Sequence, residues 1–184
     1  MHDRMRTYSQ AELTKLHDAA MDLLQNTGIL FDDEEAIAIF KQAGCKVQGT
    51  TVFLTEKNVT RALESAPPHF KLTARNPEKS ITIGGNSFGL APGYGAPFII
   101  TAEGKQRNTT LADYHDFCKL VQTSGTLNVN GFLMAMPSDI PPQTSHLDML
   151  YANIALCDKP FMGSPVSRTG IKDCIHMAAM LWGG

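Results

Sequence analysis

The order of apolar runs after Thr109 constrains this chain more than any other feature. Thr110 and Asp113 form a helix-start pattern, and Leu111, Tyr114, Phe117, Cys118 and Val121 then recur on one helical face over about 111–124. Val129–Asn130–Gly131–Phe132–Leu133–Met134–Ala135 reads as a buried strand, followed by a proline-rich loop, 137–142. A helix over about 144–157 carries Leu147, Leu150, Ile154 and Leu156. Pro160–Phe161–Met162–Gly163 reads as a second short strand, 164–167 as a second loop, and a last helix runs from about Thr169 to Trp182. Strands that alternate with crossover helices imply a parallel sheet in an α/β fold. The units are short and regular, as in a (β/α) barrel. Two strands cannot close a barrel and leave open edges. The expectation is the N-terminal part of a longer protein, or a piece that depends on another chain.

Upstream of Thr109 the texture differs. Ser9 and Glu12 form a capping box, and Leu13, Leu16, Ala20, Leu23 and Leu24 make a stripe that ends at Gly28. His17, beside that stripe, reads as a half-buried packing histidine. Asp32 is placed to open a second helix with Ala36, Ile37, Phe40 and Ala43 facing the core, ending at Gly44. A small hairpin over 46–54 turns near Gly49, and Thr55 caps a third helix over about 56–65 before Pro67–Pro68. From His69 to Asn108 short apolar runs alternate with Gly, Pro and Asn turns, which reads as a β-meander separate from the parallel sheet. The expected organisation is a helical and β-meander lead-in region over 1–108, then the first βα units of an incomplete TIM barrel over 109–184.

Composition removes several function classes. Sixteen basic and eighteen acidic residues in 184 leave a net charge of −2, so the concentrated basic surface of a nucleic-acid binder is lacking. Charged residues are 18%, below the usual ~25%, which points to surface covered by other protein and to a homo-oligomer. No apolar run nears the ~20 residues of a membrane span, and the polar start is no secretory signal, so a soluble cytoplasmic protein is expected. Cys45, Cys118, Cys157 and Cys174 make no C-x-x-C pair and read as reduced thiols.

Individual motifs give little chemistry. Gly93–Tyr94–Gly95–Ala96–Pro97–Phe98 has phenylalanine where a dinucleotide loop needs its third glycine, and Gly104–Lys105 is followed by Gln106, so neither phosphate loop is present. Phe88, Tyr94 and Phe98 bracket this flexible backbone, and aromatic faces can cage a quaternary ammonium. Cys174 and His176 lie two apart on a helix and face different ways, so no metal site is assigned. In a barrel the site lies at the C-terminal strand ends. There the candidates are Met136, Ser138 and Asp139 after the first strand, and Ser164 and Arg168 after the second.

Several phrases follow one another in a fixed order: Leu16–His17–Asp18–Ala19–Ala20–Met21–Asp22–Leu23–Leu24 with Thr27–Gly28–Ile29, Gln42–Ala43–Gly44–Cys45–Lys46–Val47, Ala66–Pro67–Pro68, Leu72–Thr73–Ala74–Arg75–Asn76–Pro77, Pro92–Gly93–Tyr94–Gly95–Ala96–Pro97, Asp113, and Asp158–Lys159–Pro160. Together they resemble the N-terminal part of the trimethylamine methyltransferase family, with its non-pyrrolysine relatives that demethylate glycine betaine and similar amines. The resemblance implies a TIM-barrel methyltransferase that moves a methyl group from a quaternary or tertiary amine to the cobalt of a corrinoid on a separate partner protein. Such members are more than twice this length. It leaves the catalytic residues unassigned and makes Tyr94 a candidate for the ammonium and Arg168 one for a betaine carboxylate. The alternative is a truncated, non-catalytic assembly module of an α/β protein.

Overall fold

The structure, a computed structural model, describes residues 7–163 and 167–183. The chain divides into two compact units, Met1–Pro67 and Pro68–Gly184.

The first unit is built from strong local signals. Helix α1 (Gln10–Asp22) starts in a reciprocal capping box between Ser9 and Glu12 and passes into a π-helical turn, Leu23–Thr27. Gly28 then takes φ +76° with ψ −177°, a region open almost only to glycine. A Cβ there would also lie 2.8 Å from the carbonyl oxygen of Val52. Strands β1 (Ile29–Leu30), β2 (Lys46–Gln48) and β3 (Thr51–Phe53) form an antiparallel sheet in the order β1-β3-β2, with Gly49 in the expected turn. Helix α2 (Glu34–Gln42) opens one residue later than expected, because the Asp33 carboxylate, not that of Asp32, accepts from Ala36 N–H. Ala36, Ile37, Phe40 and Ala43 are half-buried, and Phe31 packs on Phe40 at 4.7 Å. Helix α3 (Glu56–Ser65) is capped by Thr55 and Asn58.

One expectation about α1 fails, and its apolar stripe is largely uncovered. Within this unit Leu13, Leu16 and Leu23 are exposed, and Met21 is the buried residue of the helix. His17 is exposed as well, with Nε2 3.3 Å from Glu56. Periodicity records which face of a helix is apolar, not whether something covers it.

In the second unit, β4 (His69–Leu72) pairs with β5 (Ile81–Gly84), and β6 (Phe98–Ile100) with β7 (Gln106–Asn108). The expected meander is therefore two separate antiparallel hairpins. Between them the run 91–97 holds Pro92 and Pro97, which lack the N–H groups a continuous ladder needs.

Helices α4 (Leu111–Thr123), α5 (Ser145–Leu156) and α6 (Arg168–Trp182) follow as expected, with α6 starting one residue early. Tyr114, Cys118 and Val121 of α4 pack with Phe132, Met134 and Ala135, and with Met149, Leu150 and Ala152 of α5, in one core. The two segments expected as strands do run parallel, but only through the Asn130–Phe161 bridge. Asn130 N–H donates to Pro160 O at 2.7 Å and Met162 N–H to Asn130 O at 3.1 Å. No longer ladder forms, because the next carbonyls are taken elsewhere. Gly131 O accepts from Asn153, Phe132 O from the Tyr114 hydroxyl at 2.6 Å, and Leu133 O from Gly95 N–H.

That last bond corrects another expectation. The glycine-rich run is not separate from the parallel segments. Ala96 bridges Ala135 in parallel, and Met136 N–H donates to Ala96 O at 3.0 Å. The molecule is a mixed α/β structure of helices and small sheets, and among the described residues no helix is long and apolar enough to cross a membrane.

Candidate functional site

Thr109 sits where three segments converge. It is fully buried, and its hydroxyl lies 2.8 Å from Pro97 O, 3.0 Å from Met136 O and 3.3 Å from Ala96 O. Its own carbonyl accepts from both the N–H and the hydroxyl of Ser138, at 2.9 and 3.0 Å. One buried threonine thus ties the glycine-rich run to the end of the 129–136 segment.

The start of α4 is fixed beside it. Thr110 and Asp113 cap each other, and Arg107 grips Asp113 through both nitrogens at 2.6 and 2.7 Å. Arg107, followed by the Thr110 hydroxyl and N–H, holds the Asp113 carboxyl well below the usual carboxylate range, against some cost of desolvation. Asp139 Oδ1 accepts from Leu111 N–H at 2.8 Å, so a second carboxylate serves the same helix N-terminus.

Between this end of 129–136 and the first turns of α5 and α6 lies a cavity of about 340 Å³. That is within the range of small-molecule sites. Its walls are Phe132, Leu133, Met136, Pro137, Pro142 and Met149, with Gln143, Ser145, His146, Ser167 and Gly170 completing it. His146 is largely buried, and its Nε2 lies 2.7 Å from Asp173 Oδ2 of α6. The Ser167 hydroxyl caps α6 by accepting from Gly170 N–H. Among the described residues the lining holds no Asp, Glu, Lys or Arg, and methionine sulfur, an aromatic ring and aliphatic carbon face the cavity.

Of the candidates named from sequence, Met136 lines this cavity. Ser138 and Asp139 are adjacent but spend their polar groups on Thr109 and α4. Arg168 is the exposed first residue of α6, and its neighbours Ser167 and Gly170 line the cavity in its place. Tyr94 lies against a different hollow, an apolar cleft of about 460 Å³ with Pro92, Ala96, Phe117, Leu120 and Met134. Ser164 lies outside the described residues. Sequence reading missed Phe132, His146 and Met149 as cavity walls. Phe132 and Met149 carried only the signal of a core residue, and His146 meets Asp173 across 27 positions.

The opposite end of these segments is held by ordinary structural contacts. Lys159, almost fully buried, donates through Nζ to Val121 O, Ser124 O and Leu127 O at 2.6–2.7 Å, closing the C-terminal end of α4. Asp158 pairs with Lys79 and takes a weak contact from Asn76, whose N–H donates to Asp158 O at 3.0 Å. Two of the phrases that carried the resemblance therefore meet in space, and their role here is architectural.

Comparison with known proteins fits this picture. The family model described as trimethylamine methyltransferase (MTTB) matches residues 2–184. The glycine betaine methyltransferase of Desulfitobacterium hafniense (strain Y51) is 43% identical over 176 residues, covering 96% of this chain and 37% of that protein. The L-carnitine:corrinoid methyltransferase of Eubacterium limosum is 26% identical over 153 residues, 83% of this chain and 30% of that protein. The trimethylamine methyltransferase MttB of Desulfitobacterium hafniense (strain DSM 10664 / DCB-2) is 27% identical over 183 residues, 96% of this chain and 36% of that protein. The chain thus spans about a third of the length of these relatives, and it belongs to the trimethylamine methyltransferase (MTTB) family.

Proposed function

We propose that this chain is the opening part of a TIM-barrel enzyme that transfers a methyl group from a quaternary amine, a betaine, to a corrinoid carried by a separate protein. The observation that carries the reading is the 43% identity to a glycine betaine methyltransferase across nearly the whole chain. The cavity at the ends of the parallel segments supports it, because its wall suits a trimethylammonium group.

The corrinoid, in its reduced state, supplies the nucleophile that accepts the methyl group. The positive nitrogen makes the demethylated amine a good leaving group, so the site needs little proton chemistry. The work left to this chain is binding and aim. Phe132, Met136 and Met149 exclude water around the methyl groups, and the Thr109 tie keeps Met136 in place. Ser138 and Asp139 follow the first parallel segment and Arg168 opens α6, so these three would stand near the mouth, and Ser164 is retained as a candidate on its sequence position alone. Tyr94 would reach the ammonium only if the glycine-rich run shifted toward the cavity.

The test uses the complete protein with its corrinoid partner. Glycine betaine, other betaines and trimethylamine are offered in turn, and methylation of the reduced corrinoid is followed by its visible spectrum. Methylation from a betaine is expected. Methylation from none of them overturns the assignment and leaves the assembly-module reading.

A further inference from the structure

The cavity presents one ionisable side chain among its described lining residues, His146. Its surroundings are unusual for a surface histidine. The ring stands in the first turn of α5 and is mostly buried, with its side chain 16% exposed. Asp173, on the next helix, engages Nε2 at 2.7 Å and so fixes how the ring is turned. Nδ1 is left as the second polar atom of a group on the cavity wall. Around it the wall is apolar or neutral.

We propose that His146 is the binding residue for the carboxylate of the substrate, and that Asp173 positions it. The inference rests on the betaine reading of the cavity. The imidazole would bind as imidazolium, with Nε2–H donating to Asp173 and Nδ1–H to the substrate carboxylate. A cation held between two carboxylates has both of its N–H groups satisfied. The trimethylammonium end then lies against Phe132, Met136 and Met149. This places at His146 the cationic role that sequence reading gave to Arg168. A ligand with the same ammonium head but no carboxylate gains nothing from His146, and that difference makes the proposal testable.

The experiment uses the complete protein and three ligands, glycine betaine, choline and trimethylamine. Binding is measured by calorimetry, and methyl transfer to the corrinoid protein is measured in parallel. His146→Gln is expected to weaken glycine betaine binding roughly tenfold or more, the scale of one lost charge-assisted hydrogen bond. Whatever affinity the protein has for choline or trimethylamine should change less than about twofold, because neither ligand uses the missing charge. The kcat for glycine betaine should hold while KM rises. Asp173→Asn, which keeps an acceptor for the ring, should give a smaller loss with the same ligand selectivity. Thermal unfolding of both variants is the control for folding. Equal weakening of all three ligands, or unchanged betaine affinity in folded His146→Gln, overturns the proposal. If the parent enzyme transfers no methyl group from any amine but binds glycine betaine through His146, the failure belongs to the proposed reaction and not to this residue.

Discussion

Replacing Lys159 by methionine removes the ammonium and keeps most of the stem. In the native chain that ammonium donates to three main-chain carbonyls at 2.6–2.7 Å, and the residue is 8% exposed. Each carbonyl left without a partner costs about 1–3 kcal/mol. The low end applies, because Lys159, Ser124 and Leu127 border a polar hollow of about 240 Å³ from which water can replace part of the loss. Three carbonyls at about 1 kcal/mol each give about 3 kcal/mol. Relief of the buried ammonium's desolvation works the other way and is the term that could defeat the estimate. With a urea slope of about 2 kcal/mol/M, the midpoint should fall by roughly 1.5 M. Lys79→Met is the internal control. It breaks a partly exposed pair with Asp158, which is worth under about 1 kcal/mol after solvent screening. A Lys159→Met midpoint within about 0.5 M of the parent, or above it, would mean that desolvation outweighs the three hydrogen bonds, and the reasoning fails.

Further outcomes follow from the same geometry. Asp113→Asn should destabilise at neutral pH, since it weakens both the cap of α4 and the Arg107 grip. Because the folded state lowers this carboxyl, its contribution is complete above about pH 4 and is lost as pH falls toward the folded value. The gap between parent and variant, read by urea unfolding, should therefore narrow from pH 6 to pH 3, and a constant gap would refute the ion-pair account. Burial pushes the Cys118 thiol up to about 11 and raises that of Cys157. Both should resist iodoacetamide at pH 8 until the chain unfolds, as mass spectrometry of digested protein would show. Gly28→Ala should cost roughly 1–3 kcal/mol for the backbone conformation alone, with the Val52 contact added, and wild-type stability would disprove the conformational argument.

Local chemistry made the element order legible. The Ser9–Glu12, Thr55–Asn58 and Thr110–Asp113 caps close over three residues, so their partners are written side by side in the chain. Gly28 and Gly49 mark turns for the same reason, since a positive φ is a property of one residue. The family was legible because its phrases keep their order, and two of them meet at Asp158 and Asn76. Of the residues proposed after the first parallel segment, Met136 lines the cavity there.

What the sequence by itself determined is therefore the set of helices, their ends, and the alternation that makes the second unit α/β. The tertiary structure alone decided how the polar groups near the cavity are partnered. Asp139 and Ser138 look like loop residues at a site mouth until α4 and Thr109 claim them. Arg168 is exposed at the start of α6, while His146, which no spacing pattern singled out, lines the cavity. The glycine-rich run looks like an isolated turn until it pairs with 133–136. Each of these depends on partners 20 or more positions away, or on the absence of cover, and hydrophobic period and spacing carry neither.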